Sequence, residues 1–165
     1  MTMKCSVIVP VHNAENTIEK CVESILNQRN CFIELILVEN ASDDNSYQIC
    51  LTLAQRKNNI VLIRTPVKGA SYARNLGLMA STGDVIAFCD ADDEYEPNVM
   101  ENVLATFYET NADLIVTAYC VKEPGKCFMK TLGEDRFISY EELAGRILND
   151  ARVHGSVWNK FYKKV

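Results

Sequence analysis

Several features that would assign this chain to a common protein class are absent from its sequence. It has no apolar run of the roughly 18 residues that a membrane-spanning helix requires. Residues 1–4 lead straight into a strand-like segment, with no apolar stretch as long as that of a signal peptide. We therefore expect a cytoplasmic protein without a transmembrane segment, and we leave peripheral attachment to a membrane open.

Clustered positive charge is also lacking. The formal net charge is -5, and the nearest approach to a basic cluster is Lys160, Lys163 and Lys164. A protein that binds nucleic acid through the phosphate backbone needs a stripe of lysine and arginine. We therefore expect no nucleic-acid partner.

The cysteines show no pairing pattern. They are odd in number, contain no C-x-x-C pair, and several lie inside apolar runs, where free cysteine behaves as a small hydrophobic residue. We predict that all of them are reduced core residues of a cytosolic protein, with a disulfide framework as the alternative. They are Cys5, Cys21, Cys31, Cys50, Cys89, Cys120 and Cys127.

The glycine signatures of common nucleotide sites are missing as well. The turn after the first predicted strand, residues 10–13, contains none of the glycines that let a pyrophosphate approach a helix N-terminus, and no P-loop is present. This disfavours a nicotinamide dehydrogenase. A metal-dependent phosphohydrolase usually places a nucleophilic aspartate on an early strand, and that arrangement is not seen either.

Strand and helix signals alternate along the 165 residues, of which 48% are hydrophobic and 24% charged. Strands are predicted at residues 5–10, 32–38, 60–63, 85–89 and 114–119, and amphipathic helices between them. Asn13 or Asn16 can cap the first helix, and Asp43 and Asp44 are interpreted as caps of the second. The alternation predicts an α/β domain with a mostly parallel sheet, right-handed crossovers and helices on both faces.

The last third of the chain is less regular. Residues 120–137 predict a polar hairpin with its turn at 123–126, and Ser139 can cap a short helix through Leu148. No closing element is evident at the end of the chain.

An acidic burst follows the fourth predicted strand: Asp90, Asp92, Asp93 and Glu94 come directly after an apolar run. Open α/β sheets bind ligands at the carboxyl ends of their strands. Asp90 and Asp92 flank a small residue, so both can converge on one hard cation that keeps positions open for phosphate oxygens. The pattern predicts a metal-assisted nucleotide site, with a solvated acidic loop as the alternative.

Four segments together resemble glycosyltransferase family 2. In chain order they are residues 6–15, 38–44, 73–77 and 90–93, which read SVIVPVHNAE, VENASDD, ARNLG and DADD. The resemblance implies a GT-A fold and transfer of a sugar from a nucleotide-sugar donor, here expected to be UDP-linked, to a saccharide or lipid-linked acceptor hydroxyl. It also implies inversion and a Mn or Mg ion. A non-catalytic nucleotide-sugar-binding module is the alternative.

The resemblance also implies roles for individual residues. Asp92 would ligate the metal, and Asp90 would contact the ribose or reach the metal through water. Arg74 would face the nucleotide, although a salt bridge explains an arginine early in a helix nearly as well. Glu39 would accept a hydrogen bond from the base, and the substrate-binding loop along the base would include Pro10 and Val11.

Two departures from the family pattern concern the base end of this site. Many relatives read Asp-Asp-Gly-Ser where this chain has residues 39–42, ENAS, and an aromatic residue where it has His12. Glu39 keeps the acceptor for a uracil N–H, but the identity of the base stays open. His12 and His154 have no partner at metal-ligand spacing and are interpreted as ordinary loop or packing residues.

The sequence also bears on the position of the general base. In the family, an acidic residue near a Trp-x-Lys-like stretch, here residues 158–160, deprotonates the acceptor, yet no acidic residue follows Asp150. We therefore expect residues 1–165 to be a single nucleotide-sugar-binding domain truncated at its C-terminal end. The base would then lie beyond Val165, and this piece would bind a nucleotide without catalysing transfer.

Overall fold

The computed structural model describes residues 3–123, 126–131, 137–149 and 157–164. Five helices and eight strands occur in these ranges. In chain order they are β1 Lys4–Val11, α1 Ile18–Leu26, β2 Phe32–Asn40, α2 Ser46–Arg56, β3 Ile60–Thr65, α3 Ala70–Ala80, β4 Val85–Phe88, α4 Val99–Thr110, β5 Leu114–Val116, β6 Tyr119–Glu123, β7 Lys126–Lys130, α5 Tyr140–Asn149 and β8 Lys160–Lys163.

Six of the strands form the main sheet in the order β3-β2-β1-β4-β8-β5. β1 pairs in parallel with both β2 and β4, and β2 pairs in parallel with β3. The predicted α/β fold with a mostly parallel sheet is thereby confirmed. The crossovers are the helical segments that the alternating sequence pattern predicted.

Each face of the sheet has its own hydrophobic core. Val7, Val9 and Val11 of β1 point into the core that also contains residues of α1, α2 and α4. Ile8, between them, points into the opposite core, against α3. A Cβ on Gly77 of α3 would overlap Ile8, so glycine is what lets this helix lie directly on the sheet. The predicted helices on both faces are thus confirmed.

The end of the described chain was predicted incompletely. β8 lies between β4 and β5 and is antiparallel to both, with Phe161 opposite Ala87 and Ile115. The predicted strand at 114–119 is two strands, because β5 ends at Val116 and β6 begins at Tyr119. β8 was missed because its four residues gain their order from partners that are distant in the sequence.

The predicted hairpin is present as β6 and β7, and its tip, residues 124–125, lies outside the described residues, as does His154. Cys120 and Cys127 are joined by a disulfide, with their Cα atoms 6.2 Å apart. The prediction that all cysteines are reduced core residues is wrong for this pair. The hairpin register makes the two cysteines diagonal neighbours on one face, a relationship that their spacing alone did not reveal. The buried free cysteines are Cys5, Cys21, Cys50 and Cys89.

The described residues also include the predicted cap of the last helix and every helix that could be tested for length and apolarity. Ser139 caps α5 as predicted, because its Oγ accepts a hydrogen bond from the N–H of Glu142 at 3.2 Å. No helix within the described part of the chain is long and apolar enough to cross a lipid bilayer.

Candidate functional site

The carboxyl ends of β1, β2, β3 and β4 meet at one edge of the sheet. The strand order runs outward from β1 through β2 to β3 on one side and through β4 on the other. The loops after these strands therefore all lie at the edge where α/β sheets bind their ligands. The four sequence segments singled out above lie at this edge.

The loops after β1 and β2 are locked to each other. Asn13 accepts a hydrogen bond on Oδ1 from the N–H of Asp43 at 2.8 Å, and its own N–H donates to Ser42 Oγ at 3.1 Å. Ser46 Oγ accepts from the N–H of Ala14 at 2.7 Å. Asn13 therefore bridges two loops instead of capping α1, so that expectation is wrong. Neither asparagine caps this helix, because α1 begins after Thr17, which makes no side-chain cap hydrogen bond.

The two aspartates assigned to capping behave differently. Asp44 accepts from the N–H of Ser46 at 2.9 Å and from the N–H of Glu15 at 3.1 Å, so it orders the start of α2 and joins the two loops. Asp43 instead meets Lys68 at 3.2 Å on the surface. Asp44 thus bonds the first N–H of α2 from the position before the N-cap, Asn45, and Asp43 bonds no helix N–H among the described residues, so neither aspartate is the N-cap that was predicted.

Glu39 lies beneath this pair of loops with no exposed side-chain surface. Its Oε1 accepts from the N–H of Ser42 at 2.6 Å, and its Oε2 accepts from Arg64 Nε at 3.1 Å. The sheet register explains the second contact, since Glu39 is paired with Arg64 across β2 and β3. A buried carboxylate requires such partners, and here both oxygens have one.

The two residues at the end of β1 that were predicted to lie along the base are also buried. Val11 has its side chain in the core, and its carbonyl oxygen accepts from Asn40 Nδ2 at 3.4 Å. Pro10 is buried too. A ligand at this point would therefore meet backbone and not these side chains. His12 is exposed next to them, with Nδ1 3.0 Å from the carbonyl oxygen of Asn40.

An open cleft of about 420 Å³ lies between the loops that follow β2 and β3. Ser42 and Asp43 line one side, and Arg64 and Lys68 line the other. The sequence interpretation missed both basic residues. The signal that could have identified Arg64 is its place near the carboxyl end of β3, which a parallel sheet brings beside Glu39.

On the other side of β1, the acidic loop is joined to α3. Arg74 donates from Nη2 to Oδ1 of Asp90 at 2.6 Å, so the salt bridge that the sequence left open is formed. Arg74 Nε is buried and has no hydrogen-bond partner among the described residues. The same guanidinium thus keeps an unused donor next to the loop.

Asp92 and Asp93 follow with exposed side chains. The part of Asp93 that is shielded from water raises the pKa of this carboxyl, and the charges of Asp92 and Asp90 raise it further. Such crowding of carboxylates favours a bound proton or a cation. Within the described ranges no three His, Cys, Asp or Glu side chains are grouped to hold a metal ion. Asp92 presents an exposed carboxylate at this loop, a hard oxygen ligand of the kind that Mn and Mg ions take.

The acidic loop rests on α1 and the hairpin. Tyr95 donates from its hydroxyl to the carbonyl of Phe88 at 3.1 Å, and its N–H donates to Ser24 Oγ of α1 at 3.0 Å. Glu96 forms an ion pair with Lys122 of β6 at 3.2 Å. These contacts hold both ends of the loop while the carboxylates between them remain accessible.

Comparison with known proteins agrees with this geometry. A sequence model of the family described as Glycosyl transferase family 2 matches residues 6–164. The chain is 34% identical over 146 residues to the uncharacterized glycosyltransferase YibD of Escherichia coli, covering 87% of this chain and 42% of YibD.

Solved structures show the same fold. The structure of TarS 1-349 from S. aureus in complex with UDP-GlcNAc superposes with a TM-score of 0.73 at 23% identity, covering 98% of this chain and 45% of that one. The mannosyltransferase PcManGT from Pyrobaculum calidifontis, in complex with GDP-Man and Mn2+, superposes with a TM-score of 0.65 at 23% identity, covering 76% and 37%. The expected GT-A architecture is thereby confirmed. The chain spans less than half the length of YibD and of both structures.

Proposed function

Because the chain belongs to glycosyl transferase family 2, we propose that it forms the nucleotide-sugar-binding part of an enzyme that transfers a sugar to an acceptor hydroxyl. The observation that supports this best is the edge formed by Arg74, Asp90 and Asp92. It places a fixed cation, a partly exposed carboxylate and an exposed carboxylate where an α/β sheet binds ligands. A nucleoside diphosphate bridged by a cation is complementary to that set.

We assign the diphosphate end of the donor to this edge. Asp92 would hold a Mn or Mg ion, which when bound supplies Lewis acidity to the departing diphosphate. Asp90, held by Arg74, would face the ribose.

The base end of the donor would lie beyond β1 and β2. There the loop of Pro10 and Val11 offers backbone, and Glu39 stands beneath the surface. We propose a UDP-linked donor for this end. The TarS complex contains UDP-GlcNAc, whereas the mannosyltransferase complex contains GDP-Man, so the base that this chain selects requires its own test.

We propose an inverting reaction, in which the acceptor hydroxyl attacks the anomeric carbon on the face opposite the departing diphosphate. The residues at the edge stabilise the leaving group and orient the donor. Deprotonation of the acceptor needs a general base, and we assign none of the described residues to that role. The acceptor, a saccharide or a lipid-linked sugar, belongs to this proposal as well.

The first test is calorimetric titration with UDP, with and without Mn, of the wild-type chain, Asp92→Ala and Asp113→Ala. We expect binding to require Mn and to be lost in Asp92→Ala. Asp113→Ala is the matched control, because its carboxylate is exposed just before β5, away from the cleft and the acidic loop. Equal loss of binding in both variants, with circular dichroism showing both folded, would contradict the assignment of the metal to Asp92.

A further inference from the structure

Glu39 and Arg64 form an ion pair between neighbouring parallel strands, and their exposure differs sharply. The side chain of Glu39 is 0% exposed, and that of Arg64 is 60% exposed. A ligand arriving from solvent therefore meets the guanidinium of Arg64 before it could meet the carboxylate of Glu39. Direct contact between a nucleobase and Glu39 would require the covering residues to move.

Two contacts hold the guanidinium in place. Nε donates to Glu39 Oε2 at 3.1 Å, and the guanidinium carbon lies 4.0 Å from the centre of the Tyr47 ring. An ion pair to a buried carboxylate and a cation–π contact together fix both the position and the plane of the group. The structure gives its terminal nitrogens no hydrogen-bond partner among the described residues, so the fixed group still presents donors.

These donors line the cleft of about 420 Å³ that opens between the loops after β2 and β3. Volumes of this order are typical of small-molecule sites. Lys68 also lines the cleft, but it differs from Arg64 because it pairs with the exposed Asp43 and hangs on a flexible stem. The cleft therefore contains one oriented set of donors and one mobile charge.

We propose that Arg64 selects the nucleobase of the donor and that Glu39 acts as the positioning residue that orients Arg64. This rests on the proposed function. A guanidinium has only donors, so it matches a base edge that presents carbonyl oxygens, as uracil and guanine do. Cytosine and adenine present an amino group at the corresponding position. That amino group and the guanidinium are both hydrogen-bond donors, so neither would find an acceptor in the other. A site built this way rejects the mismatched base strongly.

The test is titration with UDP, CDP, GDP and ADP in the presence of Mn. We expect the wild-type chain to bind a carbonyl-edged base more tightly than its amino counterpart, UDP over CDP or GDP over ADP, by about tenfold, the low end for a hydrogen bond to a charged group. Arg64→Gln should remove most of that preference by weakening the favoured nucleotide. Glu39→Gln should reduce it partly, because the amide holds Arg64 less firmly.

Removing the charge of Arg64 leaves a buried carboxylate without its partner, which can impair folding. Arg64→Met combined with Glu39→Gln removes the buried charge together with its partner, so this variant should fold and still lose the preference. Lys68→Gln is the matched control: it should weaken all four nucleotides by a similar factor and leave the preference intact.

The outcomes separate this inference from the proposed function. If the wild-type chain binds UDP in a manner that needs Mn and Asp92, yet the folded variant with Arg64→Met and Glu39→Gln keeps the full preference, the role of Arg64 is refuted and the proposed function stands. A wild-type preference for CDP or ADP would also refute it. If no nucleotide binds to folded wild-type protein, both are refuted.

Discussion

Arg74 and Asp90 form an ion pair of 2.6 Å that joins α3 to the end of β4. Their side chains are 23% and 33% exposed, so the contact is partly sheltered from water. Arg74 lies in the first turns of a helix, where a cation gains nothing from the helix dipole. Its place is explained by the carboxylate that it holds.

The first prediction concerns this pair as a unit. Arg74→Met and Asp90→Asn should each weaken Mn-dependent UDP binding by about tenfold, since each removes a charge-assisted hydrogen bond. The double variant should lose clearly less than the two single losses combined, because either change already breaks the pair. Titration calorimetry on the four proteins measures this coupling.

The control is the exposed ion pair of Lys122 and Glu96. Lys122→Gln and Glu96→Gln, alone and combined, should show little coupling. Strict additivity for Arg74 and Asp90 would count against their acting together.

The second prediction concerns acid stability and Glu34. Burial by itself raises the pKa of this carboxyl, but hydrogen bonds from Lys4, Ser6 and Thr82 outweigh it and lower the pKa from 4.5 to about 2. A pKa lowered in the folded state adds stability above the unfolded value, and that stability is lost as the pH falls from about 4.5 towards 2.

Glu34→Gln should therefore lower the free energy of unfolding at pH 7 by about 1–3 kcal/mol. The difference from wild type should shrink as the pH is lowered from about 5 to about 2. Urea denaturation across this range measures it. Glu109→Gln, on the exposed side of α4, serves as the control. A difference that stays constant with pH would contradict the role of the Glu34 carboxylate.

The third prediction concerns Ala41, which has a φ of 58° in the loop after β2. A non-glycine residue in the left-handed region costs about 1–2 kcal/mol. Ala41→Gly should raise the free energy of unfolding by up to about 1 kcal/mol, since the relief exceeds the extra entropy of glycine in the unfolded chain.

The opposite effect on stability is expected for Ala105→Gly, on the exposed face of α4. This variant should have a free energy of unfolding lower by about 0.5–1 kcal/mol. Thermal unfolding of the two variants against wild type compares them directly. Destabilisation by both substitutions would show that Ala41 is not strained.

The fourth prediction concerns Gly83, in the turn before β4. A Cβ at this position would lie 2.7 Å from the backbone N of Ser6 and 2.8 Å from the carbonyl oxygen of Lys4. Backbone atoms of a central strand cannot move aside cheaply, so Gly83→Ala should cost about 1–3 kcal/mol. In α5, a Cβ on Gly145 would lie within 4 Å of no atom of the described residues. Gly145→Ala should therefore stabilise by up to about 1 kcal/mol. Chemical denaturation distinguishes the two, and equal effects would contradict the steric argument.

Much of the parallel sheet could be predicted from local patterns. The alternation of β1, with Val7 and Val9 on one face and Ile8 on the other, is visible in the sequence and survives in the two cores. The apolar run that ends at Asp90 likewise indicated a buried strand followed by a ligand edge. These features depend on residues that are neighbours in the chain.

The candidate site was predicted only in outline. The segments that meet at the edge were identified, because the carboxyl ends of parallel strands must lie together. The partners within the edge were not identified, and Arg64 is the clearest case, since its contact with Glu39 depends on the β2–β3 register. Asn13 was misinterpreted for the same reason: its partner lies 30 residues away.

The sequence by itself determined the alternation of strands and helices, the faces that they bury, and the family whose motifs mark the edge of the sheet. These properties follow from periodicity and from short segments, which act locally. Only the tertiary structure decided that β8 enters between β4 and β5, that Cys120 bonds Cys127, and that Glu39 is buried beneath an exposed Arg64. Each of these depends on the register between separate strands, which is set when the whole chain packs.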